Sequence, residues 1–575
     1  MNEQKNLLLA MALTLLVIVA FDYYYGAKTA PAPDMPPAPT AETAVPGGTP
    51  QAGSPGAKSG AAASEAVVLD RESALATSPR IVIDTPRLRG SIALVGGVID
   101  DLTLKDYRVA VDSDEPVTLL NPRGTANAYF VGVGWTARPE LRIDLPGPDT
   151  RWLSDDRRLS PDHPVTLRWT NRDGVAFERR IEVDRDYLFT ITDSVRNPGA
   201  APVILAPYGL ISRRGEPRVR GYYILHEGPL GVFDGKLEEK TYKDLRKDGA
   251  FTADSVGGWL GITDKYWLTA LVPQQDIPFK GRFLRLENGA PRYQADYLEE
   301  EMVVPAGEAK TVRVQVFAGA KEVDLINRYE KAYSIRLFDR AIDWGWFIFL
   351  TKPIFYVLDW LNALTGSFAL AILLLTVLVK ALMFPLANKS YASMSKMKLV
   401  QPKIKKLQER YKDDKARLQQ EMMELYRKEK INPLSGCLPT LVQIPVFFAL
   451  YKVLFVTIEM RHQPGFFWVK DLSAADPLLL TNLFGLVPWD PPSFLAIGVW
   501  PALMSLTMYF QMQLNPSAGD PTQQKVLKLM PFIFLFVMAR FPVGLVIYWT
   551  WNNLLSILQQ WVIMRRHGVP VAAND

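Results

Sequence analysis

Lys380 is the one charged residue in the apolar run from Ser367 to Pro385. A lysine at the centre of a spanning helix costs roughly 2.5–3.5 kcal/mol on an insertion scale. A chain keeps such a residue where it faces water, a partner or a substrate. The chemistry it can do is electrostatic recognition inside a membrane. Thr376 lies one turn earlier on the same face. The competing reading is snorkelling: Pro385 is only five residues away, and the long stem can carry the ammonium to the inner interface.

Directly beyond this run comes a basic stretch, residues 388–436, with 13 Lys and Arg against 6 Asp and Glu. Its net +7 suits a cytoplasmic loop under the positive-inside rule. Apolar positions Met394, Met397 and Leu407, then Leu418, Met422 and Leu425, recur at helical spacing. An antiparallel helical hairpin with its turn at Asp413 and Asp414 is the simplest reading. Pro402 is expected to interrupt or start a helix in the first arm. Lys403, Lys405, Lys406 and Arg410 on that arm are candidates to meet ribosomal RNA or anionic lipid through screened electrostatics.

Other chemistry is scarce. Residues 65–337 hold no nucleotide loop, metal cluster or nucleophile elbow, and His163 and His226 are isolated. No enzyme and no cofactor are therefore expected. Cys437 is the lone cysteine, which excludes an intramolecular disulfide. The string Leu434-Ser435-Gly436-Cys437 mimics a lipoprotein cleavage site, but it is internal and follows a polar loop, so a buried structural thiol is expected. A net charge of +5 over 575 residues is too small for a nucleic-acid binder, and no nucleic-acid sequence recognition is expected.

The elements that position these residues follow from composition. Hydrophobic residues are 48% and charged residues 22%, as for a soluble part joined to a membrane part. Residues 1–25 carry an apolar run from Leu7 to Phe21 and then Tyr23, Tyr24 and Tyr25, which reads as an uncleaved transmembrane anchor; a cleaved signal peptide is the alternative. Residues 26–64 are a Pro/Ala/Gly/Ser tether with no capacity for a core. From 65 to 337 alternation and turns take over, as in 80–84, 91–97, 165–170 and 187–192, with Asn171–Gly174 and Asn197–Gly199 as turns. A large all-β sandwich is expected.

Residues 338–365 are long and apolar but carry Asp343, Lys352, Pro353 and Asp359, with Trp344, Trp346 and Trp360 towards the ends. A span here would place the basic stretch 388–436 outside, against the orientation rule, so an interfacial amphipathic helix is predicted. Residues 366–575 then hold spans near 367–387, 438–459, 494–513, 527–541 and 543–564. With the anchor this makes six spans, both termini cytoplasmic. The loop 461–492, with two basic and three acidic residues, suits the outer side.

Several strings resemble the YidC membrane-protein insertase family, the Gram-negative type with a large periplasmic domain. They begin at Met394 (Met-Ser-Lys-Met-Lys-Leu-Val-Gln-Pro-Lys-Ile), Gln420 (Gln-Glu-Met-Met-Glu-Leu-Tyr), Asn432 (Asn-Pro-Leu-Ser-Gly-Cys-Leu-Pro), Gln443 (Gln-Ile-Pro-Val-Phe) and Phe541 (Phe-Pro-Val-Gly-Leu-Val-Ile-Tyr-Trp). The match is dense over 366–566 and rests on order and size over the ectodomain. The resemblance implies a periplasmic β-supersandwich. It also implies a core of five helices around a hydrophilic groove, open to cytoplasm and lipid, working without nucleotide hydrolysis. The family's groove cation falls on Lys380, where the family more often has Arg; Lys keeps the charge and loses the bidentate fork. By their places in the motifs, Gln443, Ser505 and Trp549 are candidates for the rest of the lining, with Trp549 standing where a second Tyr often follows Tyr548. Helix packing for Gln443 and lipid-facing or packing roles for Tyr548 and Trp549 stay open.

Two function classes compete. One is an insertase and chaperone of the inner membrane, acting on nascent membrane proteins alone or with the Sec translocon, with the translating ribosome and anionic lipids as further partners. The other is a secondary transporter using Lys380 as a counter-ion, against which stand the lack of an internal repeat and of a carboxylate within the spans. A sugar-active ectodomain is a weaker third reading without a clear acid and base pair.

Overall fold

A computed structural model describes residues 68–217, 225–287, 290–411, 414–429, 438–489, 491–492, 495–514 and 521–566. The anchor, the tether and the Leu434–Cys437 string lie outside these residues.

Alternation builds the first region. In Ala176–Val183, Phe177, Arg179, Ile181 and Val183 point inward while Glu178 and Arg180 face out. The strand pairs antiparallel with Leu188–Arg196, Ile181 opposite Ile191. Asn171 makes the preceding turn: its Oδ1 accepts the Asp173 and Val175 N–H groups at 3.0 and 2.8 Å, and Gly174 takes the left-handed φ of +83° that such a turn needs. Two sheets result, of eleven and eight strands among the described residues. The larger centres on Val203–Arg214 between Arg292–Glu299 and Tyr129–Thr136, and the smaller on Ala309–Ala320 beside Leu188–Arg196. Ile83, Leu102 and Ile211 from one meet Phe177, Ile191 and Val316 from the other in a common core. The expected all-β sandwich is observed, and long-range antiparallel pairing sets its layers.

One inward charge ties the layers together. Arg179 is 1% exposed and holds Asp193 through Nε and Nη2 at 2.8 and 2.7 Å. It also donates across to the larger sheet, to the Gly97 carbonyl at 2.9 Å and the Val133 carbonyl at 2.6 Å.

The second region is helical. We number its elements with the short helices α1 (Arg71–Ala76) and α2 (Tyr242–Asp248) of the sandwich. They are α3 (Val323–Ala332), α4 (Ile348–Thr365), α5 (Phe368–Arg410), α6 (Lys415–Lys428), α7 (Leu438–Val456), α8 (Val499–Leu514), α9 (Pro521–Met538) and α10 (Val543–Arg566). The expected interfacial segment is α4. Its residues Thr351, Ile354, Phe355, Leu358 and Leu361 pack inward, while Phe349, Tyr356, Trp360 and Leu364 are exposed on the other side.

Pro402 corrects an expectation. It neither interrupts nor starts a helix, because α5 runs 43 residues through both Pro385 and Pro402. A mid-helix proline costs about 3 kcal/mol. Packing opposes that cost here: Val400 and Ile404 bury against Met422, Leu425 and Tyr426 of α6.

Among the described residues, Phe368–Asn388 is the one helix long and apolar enough to cross a membrane by length and composition, with shorter apolar stretches at Gln443–Val456 and Lys528–Met538. α8 starts five residues later than the span expected from 494. The reason is local pairing: Leu480 N–H donates to the Ile497 carbonyl at 2.9 Å and Val499 N–H to the Leu478 carbonyl at 3.1 Å.

Polar contacts tie α7 and the segment after it to α3, to the approach to α4 and to the sandwich. Glu459 accepts the Val323 N–H at the start of α3 (2.8 Å), and Lys452 pairs with Asp343 at 2.7 Å. Arg461 donates to the Arg108 carbonyl at 2.5 Å. Nearby, His226 is half-buried, and desolvation lowers its pKa to about 4.

Candidate functional site: a polar stripe on the last helix

The final helix, α10, gathers the polar residues of the core. Its first turns are apolar and buried, from Val543 to Ile547. Then Tyr548, Asn552, Ser556 and Gln560 follow at intervals of four, which puts them on one face. All four are buried, at 2, 8, 1 and 4% exposure. The stripe covers about 18 Å of helix at 1.5 Å per residue.

Two predicted site residues meet this stripe. Lys380 of α5 is half-buried and donates from Nζ to Ser556 Oγ at 2.6 Å. The Ser556 hydroxyl donates to the Asn552 carbonyl at 2.7 Å, so its oxygen is turned to accept from the lysine. Gln443 of α7 donates from Nε2 to the Tyr548 hydroxyl at 2.5 Å. Lys380 and Gln443 are thus seated on one helix eight residues apart, roughly 12 Å of rise. Asn552 Oδ1, between them in sequence, is buried with no hydrogen-bond partner among the described residues. An unmet acceptor of this kind costs about 1–3 kcal/mol unless water or a visiting group fills it.

The other predicted residues are placed differently. Thr376 is buried and its hydroxyl donates back to the Ile372 carbonyl at 2.7 Å, so its hydrogen is used inside α5. Ser505 bridges helices by donating to the Pro531 carbonyl at 2.7 Å. Trp549 lies edge-on to Phe447 at 4.6 Å and to Phe534 at 5.1 Å, in an aromatic cluster that also takes in Met504 and Met538. Along the distal half of α5, Lys405, Lys406 and Arg410 are exposed, while Lys403 pairs with Glu429 of α6 at 2.7 Å.

Sequence reasoning missed Asn552, Ser556 and Gln560, and with them Tyr391, whose hydroxyl reaches Ser556 and Gln560 from α5. A signal was available: polar residues recur every fourth position after Trp549, inside a helix otherwise fit for lipid. Equally informative is what the helices lack. In the sequences of α5 and α7 to α10, Glu409 is the one acidic residue, and it lies at the far end of α5. Among the described residues no carboxylate pairs with Lys380.

Residues 360–569 match the family described as 60Kd inner membrane protein, and residues 80–357 match the YidC periplasmic domain. The membrane protein insertase YidC of Bradyrhizobium diazoefficiens is 49% identical over 606 residues, covering 100% of this chain and 98% of the relative. The namesakes from Methylorubrum extorquens and Brucella suis are each 48% identical, covering 100% of this chain and 97 and 98% of their own lengths. The match at 48–49% identity over the whole chain, across sandwich and helical core alike, shows that the chain belongs to the YidC family of membrane protein insertases.

Proposed function

We propose that this protein inserts and helps fold nascent membrane proteins in the inner membrane, alone or beside the Sec translocon, by lending a polar path to their hydrophilic tails. The observation that carries this reading is the pairing of Lys380 with neutral Ser556 instead of a carboxylate. A cation held by one hydroxyl keeps most of its electrostatic attraction for an acidic visitor. The α10 stripe supplies further donors and acceptors along about 18 Å, which lowers the desolvation cost for a short polar segment without a tight pocket.

The remaining parts fit the same reading. α5, α7, α8, α9 and α10 serve as the five core spans, with the anchor as a sixth and both termini cytoplasmic. The sandwich is then periplasmic, and α4 lies in the outer interface with Phe349, Trp360 and Leu364 towards lipid. The distal half of α5 and α6 form a cytoplasmic hairpin whose Lys403, Lys405, Lys406 and Arg410 receive the ribosome or anionic headgroups. Gln443, Thr376, Ser505 and Trp549 support the groove wall. A counter-ion transporter finds no support, since the helices offer Lys380 no acidic partner.

Photocrosslinkers placed at Lys380 and Trp549 during translation of a small membrane client test the proposal. Adducts with the client's polar tail at Lys380 are expected. Adducts no stronger than those from Leu382, which is 82% exposed on α5, would overturn the groove.

A further inference from the structure

The segment Pro477–Trp489, between α7 and α8, contains no charged residue. Its stem is rigid. Besides the Leu478–Leu480 pairing to Ile497 and Val499, Asp476 accepts the Trp500 N–H at 2.7 Å and the Trp468 indole N–H at 2.8 Å. The tip is apolar and outward: Leu483 is 56% exposed, Phe484 53%, Leu486 82%, Val487 41% and Trp489 46%. Leu483 and Phe484 hold left-handed φ of 51° and 62°, a conformation that bulky residues seldom adopt and that needs a reason.

The backbone supplies that reason. Every N–H from Leu483 to Val487 is donated inside the loop. Leu483 gives to Leu480 at 3.1 Å, Phe484 to Leu479 at 2.9 Å, Gly485 to Asn482 Oδ1 at 2.9 Å, Leu486 to Leu483 at 3.2 Å and Val487 to Asn482 at 3.1 Å. A loop in water has no need to close its own amides. A loop entering hydrocarbon does, because each open donor there costs several kcal/mol.

We propose that residues 483–489 dip into the outer leaflet of the bilayer as a lipid anchor beside the helical core. The proposal rests on the membrane reading of α5 and α7 to α10. The anchor would hold the outer end of α8, and through the Asp476 contacts the Trp468 loop, at a fixed depth.

Depth-dependent quenching tests it. A Cys437→Ser chain carries the fluorophore NBD at Leu486→Cys or, as a second site, Leu483→Cys. Controls are Leu382→Cys on α5 and Val82→Cys, 50% exposed on the sandwich. The full chain is placed in phosphatidylethanolamine and phosphatidylglycerol vesicles doped with phosphatidylcholine bearing a nitroxide at acyl carbon 5 or 12. At least a twofold loss of emission at 486 and 483, stronger with carbon 5 than with carbon 12, is expected, with quenching at 382 and none at 82. Quenching at 382 but not at 486 and 483 would overturn the anchor and leave the spans standing. No quenching at 382 would overturn the spans, and the anchor with them. Protection of 486 from aqueous iodide only when Sec translocon is added would overturn the lipid reading in favour of a protein partner.

Discussion

The sandwich and the helical core treat a buried cation in opposite ways. Arg179 in the sandwich has a bidentate carboxylate, two carbonyls and the Trp152 ring at 5.0 Å around it. Every direction of its guanidinium is committed, and the result is a clamp between layers. Lys380 in the core has a serine hydroxyl. The first arrangement makes a charge structural by satisfying it. The second leaves a charge without a carboxylate among the described residues, and on the proposed function a visiting acidic group completes it. In a chain this long, the location of unsatisfied polarity is a better guide to function than the location of charge.

Reversing the core cation should have the largest effect. Lys380→Glu should abolish insertion of clients with acidic translocated tails, Lys380→Ala should weaken it and Lys380→Arg should retain it, read in a reconstituted insertion assay. Equal activity of the Glu variant would erase the contrast. Breaking the clamp is the converse case. Arg179→Met leaves Asp193 buried without its partner and should cost about 3–5 kcal/mol of stability, read by denaturant unfolding of the detergent-solubilised chain. Insertion by the folded fraction should be unchanged.

Removing 65–322 while keeping the first segment and Val323 onward asks how far the two regions are independent. Basal insertion should survive. Removal as far as 337 should give a less stable protein, because half-buried Glu459 then loses the Val323 N–H. A smaller effect concerns Glu299 in the sandwich, whose pKa burial raises to about 7, with the Asp276 charge adding to the rise. The folded state keeps a proton that the unfolded chain has released, so stability should fall as pH rises from about 4.5 to 7. Glu299→Gln should remove that fall in a melting series. On stability the least effect belongs to the exposed Lys403–Glu429 pair, which water and salt screen. Reversing Lys403, Lys405, Lys406 and Arg410 together should still weaken ribosome co-sedimentation in a salt-dependent way. Normal co-sedimentation with failed insertion would make the hairpin a guide for clients instead of a dock.

The sequence made local features plain and left distant ones hidden. Strand 165–170 and the helical registers of Met422 and Leu425 could be read directly, since period 2 and period 3.6 are local properties. Arg179 could not be read as a clamp, because Asp193 and Val133 come from two other strands and Gly97 from a turn. Lys380 announced itself through its apolar surroundings, whereas Ser556, its actual partner, is 176 residues away and unremarkable in isolation. The passage of α5 through Pro402 was hidden for the same reason: the packing that opposes the proline comes from α6.

That unbroken helix has a mechanical consequence. From Lys380 to Lys403 it is one continuous helix about 35 Å long at 1.5 Å per residue, with no loop between them. A load applied to the basic end, by whatever docks there, reaches the lysine as a tilt and is not lost in a slack linker. Pro385 lies between the two and is where such a rod bends first. On the proposed function, docking at one end and repositioning of the charge at the other would be a single motion, with the stiffness of one helix setting how faithfully it is transmitted.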